Sequence, residues 1–399
     1  MTTDPAPDHG QLLTGRVLTP GRLVPDGAVA VAGGRIAWVG ELRSIPAQWA
    51  QAPAPPDWRS GLTLLPGLVD VHCHGGGGAE FGADPGAAFV AAGHHHRAGS
   101  TSVVASLVSA PPSELVASTR VLATAVACGE LAGIHLEGPF LSTARCGAQD
   151  PATLTDLDRD LLDRVFEAAP QAFAQMTFAP ERGGGAEVPA LLATGGALGA
   201  IGHTDAEYAT VAAALEAIAG AGARGARPLA THLFNGMPPM HHRAPGPVAA
   251  ALAAAARGDA VVEVIADGVH LDGGTVRMVF DAVGGGQVAL VSDAMAASGL
   301  PSGDYTLGGR AVQVRGREAR LLDGGSLAGG VSTLLDQVRW CVQELGLDLR
   351  EVVTAATRTP ARALALEGVG ELALGMQADV LVVDEQLALQ AVMRRGAWL

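Results

Sequence analysis

The sequence predicts an α/β protein, a (β/α)8 TIM-like barrel with a small β domain built from both chain termini. Three observations predict it. Between about residues 61 and 360, eight short apolar runs alternate with alanine-rich helical stretches, the signature of a parallel sheet with helical crossovers. Two β-prone segments punctuated by glycine sit at opposite ends of the chain. The 399 residues exceed the roughly 250 that such a barrel uses alone, which leaves room for a second, smaller unit.

In chain order, QLLTGRVLTPGRLVPDGAVAVAGGRIAWVG (residues 11–40) reads as a small antiparallel sheet, giving a first part of the small domain over 1–60. The barrel, over 61–365, takes its strands from LLPGLVDVHCH, TSVVASLVS, LAGIHLEGP, QMTFAPE, ALGAIGHTD, PLATHLFN, VVEVIADGVH and QVALVSDAM. Residues 299–330, rich in glycine and containing YTLGGRAVQVRG, read as an inserted β-hairpin. GVGELALGMQADVLVVDEQLALQAVMRRGAWL then returns to the β pattern, so 366–399 completes the small domain. No repeat of solenoid period interrupts this order.

Composition narrows the function. The chain is 48% hydrophobic with a mean hydropathy of +0.28, but its helical stretches, such as PVAAALAAAARG, are too short to span a bilayer. MTTDPAPDHGQLL has neither a basic nor an apolar signal region, so the expected location is cytoplasmic. A formal charge of −14 disfavours nucleic acid and anionic membranes as partners, although a local arginine cluster can still hold one phosphate. The four cysteines (Cys73, Cys128, Cys146, Cys341) are scattered, with no CxxC pair for a disulfide framework or a thiolate zinc knuckle. All 26 basic residues are arginine. That excludes a Schiff-base lysine, a Walker lysine and a lysine carbamate between two metals.

The polar residues that interrupt the eight runs all fall at strand C-termini, where barrel chemistry sits. They are His72 and His74 after the first, Glu137 after the third, His203 after the fifth, His232 after the sixth, His270 after the seventh and Asp293 after the eighth. In DVHCH, residues two apart on a strand share a face, so His72 and His74 project together and Cys73 faces away. Such a pair can ligate a metal, handle protons, or merely cap a strand. A lone Glu137, Asp293 or His203 can likewise be a helix cap. The ordered set points instead to metal-assisted hydrolysis, in which a carboxylate such as Asp293 takes a proton from water and returns it to a leaving group. His94, His95 and His96 read as a solvated helix end, His135 as either a buried structural histidine or a support for the ligands, and His9 as part of a mobile tail.

PGLVDVHCHGGGG, HLEGPF, GHTDA, THLFNGM, ADGVH and VSDAM, with LAGG and GMQADVLVVD further on, resemble the successive motifs of the N-acetylglucosamine-6-phosphate deacetylases of the amidohydrolase superfamily. The resemblance implies a metal-dependent barrel with a small β-sandwich, usually a homodimer, that hydrolyses the acetamide of the sugar phosphate to glucosamine 6-phosphate and acetate. It implies Glu137, His203 and His232 as ligands of the metal site common to the family, and Asp293 as catalytic acid/base and metal neighbour. It also implies His72 and His74 as the mark of a two-metal branch with Glu137 bridging. Zinc is the first choice of divalent ion, with iron, manganese or cobalt compatible. Phosphate recognition falls to Asn235, the backbone of Gly236, His270 and an Arg243 that reaches across the dimer interface, with His242 as a further candidate.

Two departures stand out. Gln149 occupies the loop position where the family usually carries a substrate-contacting histidine, and glutamine cannot carry charge. LAGG (327–330) replaces the usual LAGS. Cys146, in the same loop as Gln149, is either a thiol near a metal or an inert one. Gln149 motivates a rival reading, deacetylation of another N-acyl amino-sugar phosphate such as the galactosamine epimer. A catalytically silent sugar-phosphate-binding protein and a deaminase are the remaining alternatives.

Overall fold

The computed structural model describes residues 10–55, 58, 61–223 and 227–399, so His9 lies outside the described residues. Three strands open the chain: β1 (Gln11–Leu18), β2 (Leu23–Ala32) and β3 (Arg35–Glu41). The apolar run that reads as one strand then breaks at Gly67 into β4 (Thr63–Pro66) and β5 (Leu68–Cys73). A short ribbon, β6 (Gly75–Gly76) and β7 (Ala79–Glu80), leads into the remaining barrel strands. These are β8 (Ser100–Val108), β9 (Gly133–Glu137), β10 (Phe173–Phe178), β11 (Leu198–Ile201), β12 (Leu229–Ala230), β13 (Val261–Val264) and β14 (Val288–Leu290). β15 (Gly303–Leu307), β16 (Arg310–Arg315) and β17 (Glu318–Leu321) form an inserted antiparallel sheet, so the expected hairpin gains a third strand. The chain ends on β18 (Val380–Val383), β19 (Leu389–Arg394) and β20 (Ala397–Trp398).

β5 and β8–β14 pair in parallel, each with its sequence neighbour, as eight adjacent strands. The seam between β14 and β5 is drawn together at the site end. There the Asp293 amide donates to the His72 carbonyl at 2.9 Å and the Ser292 amide to the Asp70 carboxylate at 3.2 Å. The expected helical crossovers are present, beginning with α1 (Pro85–Arg97) and α2 (Pro112–Ala127). Among the described residues no helix is long and apolar enough to cross a membrane.

The terminal segments meet in one seven-stranded sheet, ordered β20-β19-β18-β4-β1-β2-β3. Gly67 matters here because β4 belongs to this sheet, pairing with β1 and β18, while β5 begins the barrel. β18 is buried along its whole length, and its alternation divides two cores. Val380 and Val382 pack with Leu13, Val29 and Ile36 inside the small domain, whereas Leu381 and Val383 face Leu65 and Leu68 and the barrel helices. At roughly 25 cal/mol per Å² of apolar area buried, a strand that buries both faces ties the two units firmly together.

The histidine run in α1 departs from the sequence reading. His95 and His96 are buried, not solvated. The glycines that follow DVHCH let the helix approach, and His95 Nε2 lies 2.8 Å from the Gly75 carbonyl and 3.1 Å from Cys73 Sγ. His94 Nε2 reaches Ser298 Oγ at 3.2 Å. Cys73 does face away from the barrel interior, as the alternation requires.

Burial, with Arg394 adding to it, lowers the His96 imidazole to about 3. It is therefore neutral in the fold but protonates near 6.5 when unfolded. Its contribution is present above pH 6.5 and is lost as pH falls toward the folded value. At pH 5 the loss amounts to about 2 kcal/mol. Denaturant titrations at pH 7 and pH 5 should show a stability drop smaller by about that amount in His96→Gln than in the wild type. Equal drops in the two proteins would contradict the assignment.

Candidate active site

Six of the seven strand-end residues converge in the barrel mouth. Two groups of three have ligand atoms within 4.8 Å of one another: His72, His74 and Asp293, and Glu137, His203 and His232. The two groups share a wall. Glu137 Oε1 lies 2.9 Å from both His203 Nε2 and His232 Nε2, while Oε2 lies 3.2 Å from His74 Nε2. Asp293 Oδ1 stands 3.2 Å from His74 Nε2 and 3.5 Å from His72 Nε2.

The hydrogen bonds on the far side of the rings decide what these nitrogens offer. His72 Nδ1 meets Glu263 Oε2 at 3.0 Å, His74 Nδ1 the Ser106 carbonyl at 3.2 Å, and His203 Nδ1 the Arg145 carbonyl at 2.7 Å. Those oxygens can only accept, so each Nδ1 carries a hydrogen and each ring, when neutral, turns a lone pair on Nε2 inward. His72 Nε2 and His74 Nε2 are 3.1 Å apart, and His203 Nε2 and His232 Nε2 are 3.0 Å apart. Two lone pairs at that distance repel unless a cation or proton lies between them. Ligands about 2.0–2.1 Å from a tetrahedral ion stand about 3.4 Å apart, so both groups fit a divalent metal.

The charges agree. Burial works against an ionised Glu137, but His203 and His72 outweigh it and hold the carboxyl well below the usual carboxylate range. Asp293 is likewise opposed by burial, and His72 and His74 bring it down to about 2. Both are therefore charged at neutral pH. Three of the residues, His203 (φ 47°), His232 (φ 27°) and Asp293 (φ 46°), hold left-handed backbone conformations. Each such residue costs on the order of 1–3 kcal/mol and persists only where its surroundings over-determine it, which is common at functional sites.

All six residues but the fully buried His72 floor a cavity of about 300 Å³ whose walls include Gln149, Asn235, Gly236 and His270. His270 Nδ1 bonds Asp267 Oδ2 at 2.8 Å. Burial lowers the His270 imidazole, but Asp267 more than compensates, so it is raised above its ordinary value. Gly236 (φ 60°) passes so close to His203 that a Cβ there would lie 2.8 Å from its Nδ1. The second glycine of LAGG is also explained: a Cβ on Gly330 would sit 2.5 Å from the Ser292 carbonyl oxygen, so a serine does not fit.

Other expectations land elsewhere. Arg243 and His242 are exposed, 2.7 Å from one another, and do not line the cavity of this chain. Cys146 is half-buried and also outside the lining, which begins at its neighbour Gly147. Gln149 lines the cavity but aims its amide at Glu137. His135 lies between Ser106 Oγ (2.9 Å) and Thr177 Oγ1 (2.8 Å), edge-on to the His72 ring, and supports that ring from behind. Glu263 escaped the sequence reading. It is fully buried on β13, accepting from His72 Nδ1 and from the His232 amide at 3.2 Å. A glutamate inside the otherwise apolar VVEV was the available signal.

Residues 63–399 match the amidohydrolase family. The N-acetylglucosamine-6-phosphate deacetylase of Lysinibacillus sphaericus is 33% identical over 84% of this chain and 85% of its own. The N-acetylgalactosamine-6-phosphate deacetylase of Escherichia coli O157:H7 is 32% identical over 85% and 88%. Among solved structures, the N-acetyl-D-glucosamine-6-phosphate deacetylase of Mycobacterium smegmatis in complex with N-acetyl-D-glucosamine-6-phosphate superposes with a TM-score of 0.90. It is 38% identical, covering 98% of this chain and 99% of that one.

Chelator-stripped protein should melt below the metal-loaded form. Zinc supplied at a hundred times its dissociation constant should restore about 2.7 kcal/mol per site. Calorimetry showing no change on stripping and reloading would mean that these residues do not take up a cation.

Proposed function

Because the chain belongs to the amidohydrolase family, we propose that it hydrolyses the acetamide of N-acetyl-D-glucosamine 6-phosphate to D-glucosamine 6-phosphate and acetate. The observation that carries this reading is the cation-ready cluster on the floor of a sugar-sized cavity that has His270 in its wall. Glu137, His203 and His232 would hold one divalent ion and His72, His74 and Asp293 a second, with the Glu137 carboxylate standing between the two groups. When bound, such ions polarise the amide carbonyl and lower the pKa of water. Zinc suits the histidine and carboxylate donors, and iron, manganese and cobalt remain compatible.

Charge supports two ions. Glu137 and Asp293 together bring −2 into the barrel mouth. One divalent ion leaves 0, whereas two leave +2, an excess that favours the negative oxygen developing on the amide carbon. Within this frame Asp293 does the proton work. Its carboxylate takes a proton from the attacking water, holds it, and delivers it to the nitrogen as the C–N bond breaks. His270, protonated and braced by Asp267, attracts the phosphate, and Asn235 and Gly236 line the same wall. Arg243 would complete the phosphate site from the partner subunit of a homodimer, consistent with its exposure on this chain.

A second reading has its own support, since a relative named for the galactosamine epimer is 32% identical, beside 33% for a glucosamine one. The test measures metal content per chain and acetate release on the same chelator-free preparation, with both epimers. Two ions and faster acetate release from the glucosamine substrate are expected. A marked preference for the galactosamine substrate would overturn the substrate assignment, and metal-loaded protein that releases no acetate from either would overturn the deacetylase reading. Asp293→Asn should lower kcat by roughly 10²–10⁴-fold, the usual worth of a general acid–base group.

The raised His270 imidazole gives a pH signature. Its positive charge survives above the ordinary histidine range and disappears as pH rises through the raised value, so KM should climb on the alkaline side. His270→Gln should have a higher KM at neutral pH and should flatten that climb. An alkaline rise of the same size in the variant would assign it to another group.

A further inference from the structure

Gln149 stands where the resemblance places a substrate-contacting histidine, yet its side chain is committed elsewhere. It is 4% exposed, and both ends of its amide are engaged. The Ser109 amide, which can only donate, lies 2.7 Å from one end, so that end is the oxygen. The other end is therefore the NH₂, and it donates to Glu137 Oε2 at 2.7 Å. Ser109 also fixes the backbone behind this contact, its hydroxyl donating to the Glu137 carbonyl at 3.2 Å. The amide is thus clamped between two points of the same strand-end region.

We propose that Gln149 is a positioning residue for Glu137, setting the rotation of the carboxylate shared by the two ion-binding groups, rather than a group that grips the sugar phosphate. Glu137 Oε1 already faces His203 and His232. A donor on Oε2 fixes the carboxylate plane so that Oε2 stays directed toward His74, 3.2 Å away. Without that donor the carboxylate is free to turn, and the ions lose a preformed shared ligand. Groups that orient a metal ligand in this way typically change metal affinity by 10–100-fold. A neutral amide orients the carboxylate while leaving its charge intact, whereas a protonated imidazole in the same place would compete with the cations for it.

This inference rests on the metal-dependent reading of the site, and the experiment separates the two. Gln149→Met keeps the length of the side chain and removes the donor. Zinc affinity is measured by competition with a chromophoric chelator, and kcat and KM for N-acetylglucosamine 6-phosphate are measured at saturating zinc. Positioning predicts zinc affinity weakened by about 10–100-fold, with a lower kcat and a KM within about twofold of wild type. A large rise in KM with unchanged zinc affinity would overturn the proposal and make Gln149 a substrate contact. Should Gln149→Met fail to fold, Gln149→Asn retains the amide but is one methylene too short to span both 2.7 Å contacts, and it should weaken zinc in the same direction. The zinc titration needs no turnover, so it stands even if the substrate proves to be a different one. Wild-type protein that binds no zinc would instead defeat the metal-dependent reading itself.

Discussion

The structure depends on one electrostatic constraint, the meeting of four imidazole nitrogens with buried carboxylates at one end of the barrel. His72, His74 and His203 each spend Nδ1 on an oxygen that can only accept, which leaves Nε2 facing inward, as a lone pair whenever the ring is neutral. Such an arrangement is repulsive when empty of positive charge. Leaving a buried charge unpaired costs several kcal/mol, more than a typical hydrogen bond returns. The fold therefore holds the ligands apart only because their supports are rigid. Glu263 is the strongest of these supports, since one oxygen accepts from His72 on the first barrel strand and from the His232 amide after the sixth.

Backbone closure and site geometry are the same feature seen at two scales. The Asp293 amide bonds the His72 carbonyl, and the amides of His74 and Gly75 bond the Ala294 carbonyl at 2.8 and 2.9 Å. These bonds join the first and last strands of the barrel and at the same time set the proton-handling carboxylate beside the His72–His74 pair. The left-handed conformations of His203, His232 and Asp293 come from the same demand, because an extended continuation of each strand would carry the side chain away from the axis. Packing elsewhere offsets this strain, chiefly the continuous barrel core of Val, Leu and Ala residues.

Much of this was legible in the sequence because periodicity carries it. The eight apolar runs gave the strand order, and polar residues ending those runs gave the floor of the site, since a charged residue at the end of a buried strand has few other uses. What stayed hidden depends on contacts between segments distant in sequence. Gly67 splits an unbroken apolar run only because residues 63–66 find partners near residues 16 and 380. Buried His95 looks like part of a solvated helix end until the glycine loop is folded against it, and His96 until Glu130 and Arg394 are brought beside it. Gln149 could be placed by motif, but which way its amide turns follows from the Ser109 amide, forty residues upstream.

The depth of each residue orders how firmly its role is constrained. The cation-facing groups stand on strand ends and are almost wholly buried, and the side chains of His72, His74, His203 and Glu137 are each held by a hydrogen bond with a group outside the cluster. The groups that face the cavity mouth stand outside the barrel strands: His270 with its Asp267 brace, Asn235 bonded to backbone carbonyls at 3.2 and 3.4 Å, and Leu307 of the inserted sheet. A ligand's reacting end is thus met by a rigid floor, whereas its distal end is met by segments that can change with little cost to the core. The same division explains why Arg243, outside the cavity lining and exposed on this chain, is the predicted residue whose place in the site is least determined by the fold of one chain.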